Sequence, residues 1–525
     1  MKMVENQIYN NEMTIPTANG HCLYRLRDKI PARFVLYLLS WSGFMVSFII
    51  RSDINLTILA MVKDRQVSTA TPNKTDENFC YTNIDKNIVN ETETVLDYGG
   101  TLEWSPDAQS YIIASFYWMY VCAHIVGGAI TQRFGTKRVF GFVQLTCALC
   151  GFCLPIAAET HYGFVIAIRS VQGFASGFVW PAMYSIVGIW IPTQERSRFL
   201  SSFQGSNFGT GISYALCGFL IANFGWTAVF YTSGSIGLIW CLMWYFLVFD
   251  SPEKHPRISR EELDYIRKNT DSSYASRKKQ KVPWTSIVCS LPMWAISITC
   301  FGRVWILYTF TIYGPQYMKH ILGFSVEKNG LLSGAPFMLC YFSTVLFGYL
   351  ADQIMNRKLL TKTTTRKLFT FIGQIGAGLL CILMAYIGCN IVAILILYFL
   401  AINILSAPFS GAMASIVDVA PNFSGVVVGF CQTIYMIAGV FSPLVAGYIT
   451  RNGHTISAYQ TTFNISAAVG MSTYLVYQFF GTSEIQEWNY RNDHEGMSNE
   501  RDEMLQEKKK TIRIVSKQNG IGEEV

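Results

Sequence analysis

Apolar residues in this chain come in long blocks instead of the strict alternation of half-buried strands. Twelve such runs fall near 34–62, 106–130, 139–158, 162–189, 200–222, 226–249, 291–319, 327–351, 368–388, 391–416, 425–448 and 459–481. Each is close to the ~20 residues a helix needs to cross hydrocarbon. Most polar breaks between runs are short, so successive helices are expected to run antiparallel. Two breaks are long: 63–105 after the first run and 250–290 between the sixth and seventh. The pattern predicts an all-α polytopic membrane protein whose twelve helices divide six and six.

Composition agrees with the pattern. Of 525 residues, 51% are hydrophobic and 14% charged, against about 25% charged in soluble chains. The net charge of +7 reflects topology. Most lysines and arginines fall on one side of the runs, which by the positive-inside rule makes both termini cytoplasmic. No nucleic-acid partner is implied; the surrounding partner is the lipid bilayer. The expected organisation is a cytoplasmic tail 1–33, a six-helix bundle 34–249, a cytoplasmic linker 250–290, a second bundle 291–481 and a cytoplasmic tail 482–525. The first 33 residues are polar and mixed in charge, so no cleavable leader is expected. The loop 63–105 then faces outside or lumen. It carries the sequons NKT at Asn73 and NET at Asn90, expected to be glycosylated. Nearly all of the 14 cysteines lie in the runs, and no disulfide framework is expected.

Three basic residues break the apolar pattern: Arg51, Arg169 and Arg303. A charge near the bilayer centre costs about 2.5–3.5 kcal/mol on insertion scales, so packing alone does not account for it. A guanidinium stays charged and presents a planar fork that fits carboxylate or phosphate oxygens. The one acid deep in a run is Asp53, roughly 200° around the helix from Arg51 and so not its direct partner. An empty interior would be net positive, suited to an anion. Tyr120 and Tyr308 stand near these arginines, and Asn403 and Ser406 could add polar contacts. The seven histidines are scattered. His124 alone lies well within a run, and it reads as a packed or hydrogen-bonded side chain. With no metal cluster, nucleophile–base pair or phosphate-cradling loop, an enzyme is not expected, and no cofactor is implied.

The two halves echo each other. GGAITQRFGTKR (127–138) after the second run matches FGYLADQIMNRK (347–358) after the eighth, and Gln204 and Gly211 match Gln432 and Gly439. Repeated halves are the mark of alternating access around a midplane site. The loop pattern resembles the signature of the major facilitator superfamily, with its two pseudo-symmetric six-helix bundles. Further stretches, SFYWMYVCAHIVGG (115–128), RSVQGFASGFVWPAMYSIVGIWIPTQERSR (169–198) and DVAPNFSGVVVGF (418–430), resemble the solute carrier family 17 anion transporters. That family includes sialin, vesicular glutamate transporters and sodium–phosphate type members.

The resemblance implies that spans 1, 4, 7 and 10 line the cavity. It gives Arg51 and Arg169 a part in transport and Arg303 a place at the substrate site, as in the vesicular glutamate members. It makes Arg133, Glu195, Arg196, Asp352 and Arg357 conformational gates. There are departures from the family: the acids that couple protons in the fourth span of sialin-like members are Gln172 and Ser176 here, the second-span histidine of glutamate carriers is Ile113, and the Asn-His beside Asp418 is Ser415 and Ile416. The leading expectation is therefore sodium-coupled cotransport of phosphate or an organic anion at the plasma membrane, with Asp53 meeting the cation and with the carrier a monomer. The alternative is a vesicular or lysosomal organic-anion carrier driven by membrane potential or a proton gradient. A non-transporting anion sensor and a channel are the other classes.

Overall fold

The computed structural model describes residues 31–63, 100–192, 195, 199–269, 282–451 and 453–489. Asn73, Asn90, Arg196 and residues 1–30 and 490–525 of the tails lie outside the described residues. Apart from turns and one isolated bridge between Val62 and Leu102, the described regular structure is helical. The helices are α1 (Ala32–Met61), α2 (Pro106–Phe134), α3 (Thr136–Thr160), α4 (Tyr162–Trp190), α5 (Gly205–Phe224) and α6 (Trp226–Leu247) in the first half. The second half holds α7 (Leu291–His320), α8 (Val326–Asn356), α9 (Lys362–Tyr386), α10 (Ile391–Val419), α11 (Ser424–Thr450) and α12 (Ile456–Phe480). Nine of these are long and apolar enough to cross a membrane; the more polar α2, α5 and α12 complete the twelve.

Local chemistry sets the boundaries. Ser105 caps α2 by accepting from the Ala108 N–H, with Pro106 at the first position. Ser325, Thr361, Asn390 and Thr455 cap α8, α9, α10 and α12 in the same way. The α2–α3 turn is made by Gly135 at φ +86°. A Cβ there would stand 2.8 Å from the Asp250 carboxylate, which accepts the Lys137 N–H at 2.7 Å. Several helices differ from their predicted spans: α2 runs on past 130 and α8 past 351, α9 begins before 368, and α5 begins after 200. Hydropathy measures the thickness of hydrocarbon, whereas a capped helix continues into the polar zone.

Four helices are broken. Helix α4 interrupts at Gly177 and Phe178, α7 passes through a π turn at Thr309–Tyr313, α10 unwinds around Pro408, and α11 loosens at Met436 and Ile437. In α4, α7 and α11 a proline (Pro181, Pro315, Pro443) lies two to six residues beyond the irregular stretch. A proline removes a backbone donor and crowds the carbonyl four residues earlier. Such irregular backbone is tolerated at membrane depth only inside protein.

The halves meet mainly toward the end where α1 runs into the 63–100 connection, here termed the loop end. Gly211 and Gly334 face each other so closely that a Cβ on Gly211 would sit 2.9 Å from the Gly334 carbonyl oxygen. Gly447 abuts Ser110, the Tyr214 hydroxyl donates to the Thr311 carbonyl at 2.5 Å, and Lys319 Nζ donates to the Leu59 carbonyl at 2.7 Å. The opposite, linker end carries a helix at Arg260–Asn269.

One expectation is corrected. Cys389, in the connection between α9 and α10, is disulfide-bonded, while the other described cysteines are free. It sits outside the apolar runs at the loop end, where a cysteine is not confined to packing.

Candidate anion site at the centre of the bundle

All three arginines are buried: Arg51 at 7%, Arg169 at 2% and Arg303 at 6% exposure. None forms an ion pair among the described residues, so what replaces water around each matters.

Arg51 is clad in rings. Its guanidinium carbon lies 4.8 Å from the Tyr120 ring centre, 4.9 Å from Phe48, 5.0 Å from Tyr117 and 5.1 Å from Phe116. It donates to the Tyr308 hydroxyl, across the boundary between halves. Aromatic faces stabilise a desolvated cation by up to about 2 kcal/mol, which keeps the charge in place without a carboxylate. Phe48 precedes Arg51 by three residues, and Phe116, Tyr117 and Tyr120 share a helical face. The sequence singles out Tyr120 and Tyr308 of these rings; Phe48, Phe116 and Tyr117 complete the cage at the same helical spacing.

Arg169 is more firmly held. It donates to Gln172 Oε1 at 3.0 Å and to the Arg51 carbonyl at 3.2 Å, and it lies 4.9 Å from the Phe116 ring. Gln172 completes its own bonding to the Cys147 carbonyl at 3.1 Å, and Ser176 contacts Cys147 Sγ at 3.3 Å. The two neutral substitutes for the family's acids are therefore part of this packing. Asp53 accepts from Ser233 at 2.9 Å and lies within electrostatic reach of Arg169, while its second oxygen has no hydrogen-bond partner.

Arg303 approaches from the other half. Its Nε donates to the Leu405 carbonyl at 3.3 Å, and its guanidinium lies 4.4 Å over Phe409. Both partners come from the broken part of α10, where the unwound chain exposes a carbonyl. Tyr308, one and a half turns along α7 from Arg303, is within electrostatic reach of both Arg303 and Arg51. Its hydroxyl also lies 3.6 Å from Met436 Sδ. Arg51, Tyr120, Tyr308 and Arg303 thus form one interior constellation drawn from α1, α2 and α7.

Asn403 stands apart from it. Its Oδ1 accepts from Ser343 at 2.7 Å and its Nδ2 donates to the Phe399 carbonyl at 2.8 Å. The amide oxygen ties α10 to α8, and the nitrogen is spent on the carbonyl one turn earlier in α10. Ser406 donates to the Asn403 carbonyl at 2.6 Å. Ile113 is buried, and Ser415 joins Tyr477 and Ser483 at 2.8 Å each.

The expected gates separate in space. Glu195 pairs with Arg33 at 2.6 Å and accepts from the Tyr265 hydroxyl at 3.1 Å. Arg133, Asp352 and Arg357 are exposed, and none of them makes an ion pair among the described residues. A second partner was not foreseen: Glu262 of the linker helix accepts the Ala32 and Arg33 N–H groups and Arg33 Nε, all at 3.0–3.1 Å. It caps the start of α1, where Pro31 supplies no side chain of its own. In the second half, Asp418 pairs with Lys362 at 2.9 Å and Arg366 at 3.0 Å. Residues 229 positions apart leave no local signal of such pairing.

Comparison with known proteins places this geometry. The family model of the Major Facilitator Superfamily matches residues 34–443. Sialin of Homo sapiens is 33% identical over 468 residues, covering 89% of this chain and 92% of that protein. Vesicular glutamate transporter 2 of Bos taurus is 31% identical over 463 residues, covering 87% of this chain and 75% of that protein. Among solved structures, a bacterial homologue of the human lysosomal transporter Spinster, inward-facing and occupied, superposes with a TM-score of 0.62 at 12% identity, covering 86% of this chain and 97% of the other. A D-xylose–proton symporter gives 0.58 at 14% identity, covering 86% and 98%.

Proposed function

The chain belongs to solute carrier family 17 of the major facilitator superfamily, the family of sialin and the vesicular glutamate transporters, and from that premise we propose that it carries a small organic carboxylate by alternating access. The observation that carries this reading is the hydrogen bond from Arg51 to the Tyr308 hydroxyl across the boundary between halves, with Arg303 on the same helix as Tyr308. An anion seated between two guanidiniums is gripped by both halves at once, so binding ties their movement together. Aromatic rings surround the arginines, and the Met436 thioether lies against Tyr308. Such surroundings suit a carboxylate on a carbon body better than a fully hydrated phosphate.

The packed loop end supports a reading in which this state opens toward the linker end. With the termini cytoplasmic, as the positive-inside rule predicts, the anion enters from the cytoplasm. A vesicular or lysosomal membrane fits that direction. Carrying a net anionic charge is then assisted by a positive lumen, at about 2.3 kcal/mol per charge per 100 mV. A second reading is sodium-coupled phosphate uptake at the plasma membrane. The unpartnered Asp53 oxygen favours it, since a buried carboxylate oxygen is a seat for a cation.

Purified carrier in proteoliposomes decides between them. Tracer L-glutamate, N-acetylneuraminate and inorganic phosphate are tested for counterflow, then for uptake under a sodium gradient and under an inside-positive potential. Organic-anion exchange that disappears in Arg303→Ala supports the proposal. Phosphate uptake that requires sodium reverses it in favour of the second reading, and no exchange of any tracer points to a sensor.

A further inference from the structure

Counting charge at the centre leaves two positive groups over. Arg169 has the Asp53 carboxylate within electrostatic reach, and that acid also accepts from Ser233. Arg51 and Arg303 are surrounded by rings, a hydroxyl and a carbonyl, with no acid beside either among the described residues. Two uncompensated charges in a low-dielectric interior are costly. A monoanion cancels one of them and leaves the other. With Asp53 set against Arg169, the constellation holds no acid to receive an ammonium group.

A tyrosine outside the residues discussed so far stands at the second arginine. Tyr435 is the last residue of regular helix in α11 before the chain loosens at Met436 and Ile437. It is 4% exposed, and its hydroxyl makes no hydrogen bond among the described residues. Other interior tyrosines use theirs: Tyr214 donates to the Thr311 carbonyl, Tyr313 to the Pro443 carbonyl and Tyr398 to the Phe310 carbonyl, while Tyr308 accepts from Arg51. A buried hydroxyl left unpaired is destabilising, so packing alone would favour phenylalanine at this position. Tyr435 lies within electrostatic reach of Arg303 on α7 and of Tyr120 and Tyr184 in the first half. Met436, next in the chain, brings its Sδ to 3.6 Å from the Tyr308 hydroxyl. The unbonded hydroxyl thus belongs to the Arg303 end of the constellation, as the Tyr308 hydroxyl belongs to the Arg51 end.

We propose that the carried anion is a dicarboxylate without an amino group, with one carboxylate on Arg51 and Tyr308 and the other on Arg303 and the unbonded Tyr435 hydroxyl. This rests on the organic-carboxylate carrier reading and narrows it. Two carboxylates supply the two negative charges that Arg51 and Arg303 lack. A hydroxyl donating to a carboxylate makes a charge-assisted bond, stronger than a neutral one. Tyr435 is then a specificity residue: it holds the second carboxylate and has nothing to hold on a monocarboxylate. An α-amino group would add a positive charge where no acid waits for it.

Proteoliposomes containing wild type or Tyr435→Phe are assayed for counterflow of tracer glutarate, L-glutamate, pentanoate and N-acetylneuraminate. Glutarate and L-glutamate differ by the amino group, and glutarate and pentanoate by the second carboxylate. Wild type is expected to exchange glutarate with the lowest KM of the four. In Tyr435→Phe the glutarate KM rises about tenfold or more, as loss of a hydrogen bond to a charged group implies, while Vmax is kept. The kept Vmax shows that the variant folds, and pentanoate exchange is the same in both proteins. Wild type that prefers L-glutamate, pentanoate or N-acetylneuraminate overturns the inference and leaves the carrier reading standing. So does a variant whose glutarate KM is unchanged, whose KM values all rise alike, or whose Vmax is lost for every tracer, since these make Tyr435 a packing residue. No counterflow of any of the four by wild type removes the organic-carboxylate reading and this inference together.

Discussion

A buried arginine without a carboxylate is a strained choice unless something else replaces water, and here aromatic rings do so. Around Arg51 they hold the charge ready while leaving it uncompensated. Lysine cannot reproduce the planar fork or its stacking. Arg51→Lys is therefore expected to raise the counterflow KM about tenfold or more, as the loss of a charge-assisted hydrogen bond of about 1.5–3 kcal/mol implies. Tyr308→Phe removes one hydroxyl between the halves, and its effect on KM should stay within about tenfold. Asn403→Ala should leave KM nearly unchanged and instead lower the melting temperature in detergent, because its amide is committed to Ser343 and Phe399. A large KM change in that variant would return Asn403 to the site.

Two interruptions, in α7 and α10, lie close to Tyr308 and Arg303. The break in α10 exposes the Leu405 carbonyl that Arg303 uses, and the π turn in α7 directs the Thr311 carbonyl to Tyr214 across the boundary. Between α5 and α8 the halves touch through glycine. Gly211→Val would drive its side chain into Met338 and the Gly334 carbonyl, which no rotamer avoids. The loop end should then open more often. Thiol labelling of a Ser110→Cys reporter, placed where α2 meets Gly447, should run faster in that background. Equal rates would mean that the α5–α8 contact does not govern closure.

Across the whole molecule, the two ends are held by different forces. The loop end closes by backbone-close packing and a few hydrogen bonds between halves. At the linker end, charged groups tie segments of the same half: Arg33 to Glu195 and Glu262, and Asp418 to Lys362 and Arg366. Packing that is good in one state and salt bridges near water that are each worth little together allow rocking without a deep energetic trap. Glu262 does more than pair charge, since it caps two N–H groups of α1. Glu262→Ala should lower stability by about 1–3 kcal/mol, read as a lower melting temperature in detergent. An unchanged midpoint would show that water caps α1 equally well.

The sequence by itself determined the number and placement of the helices, because hydrophobic length and capping chemistry act within a few residues of where they are written. It also singled out Arg51, Arg169 and Arg303, since a charge inside an apolar run is costly whatever surrounds it. Its family signature was legible from the repeated loop motif and the long matching stretches. Only the tertiary structure decided what each arginine faces. Arg51 meets Tyr308 across 257 positions of chain, Asn403 turns into helix packing, and Arg33 finds a linker carboxylate in place of the loop-motif charges. These outcomes depend on how each helix is rotated and where it breaks. A rotation of one residue's turn, about 100°, sends a side chain from the cavity to a neighbour, and hydropathy does not record the difference.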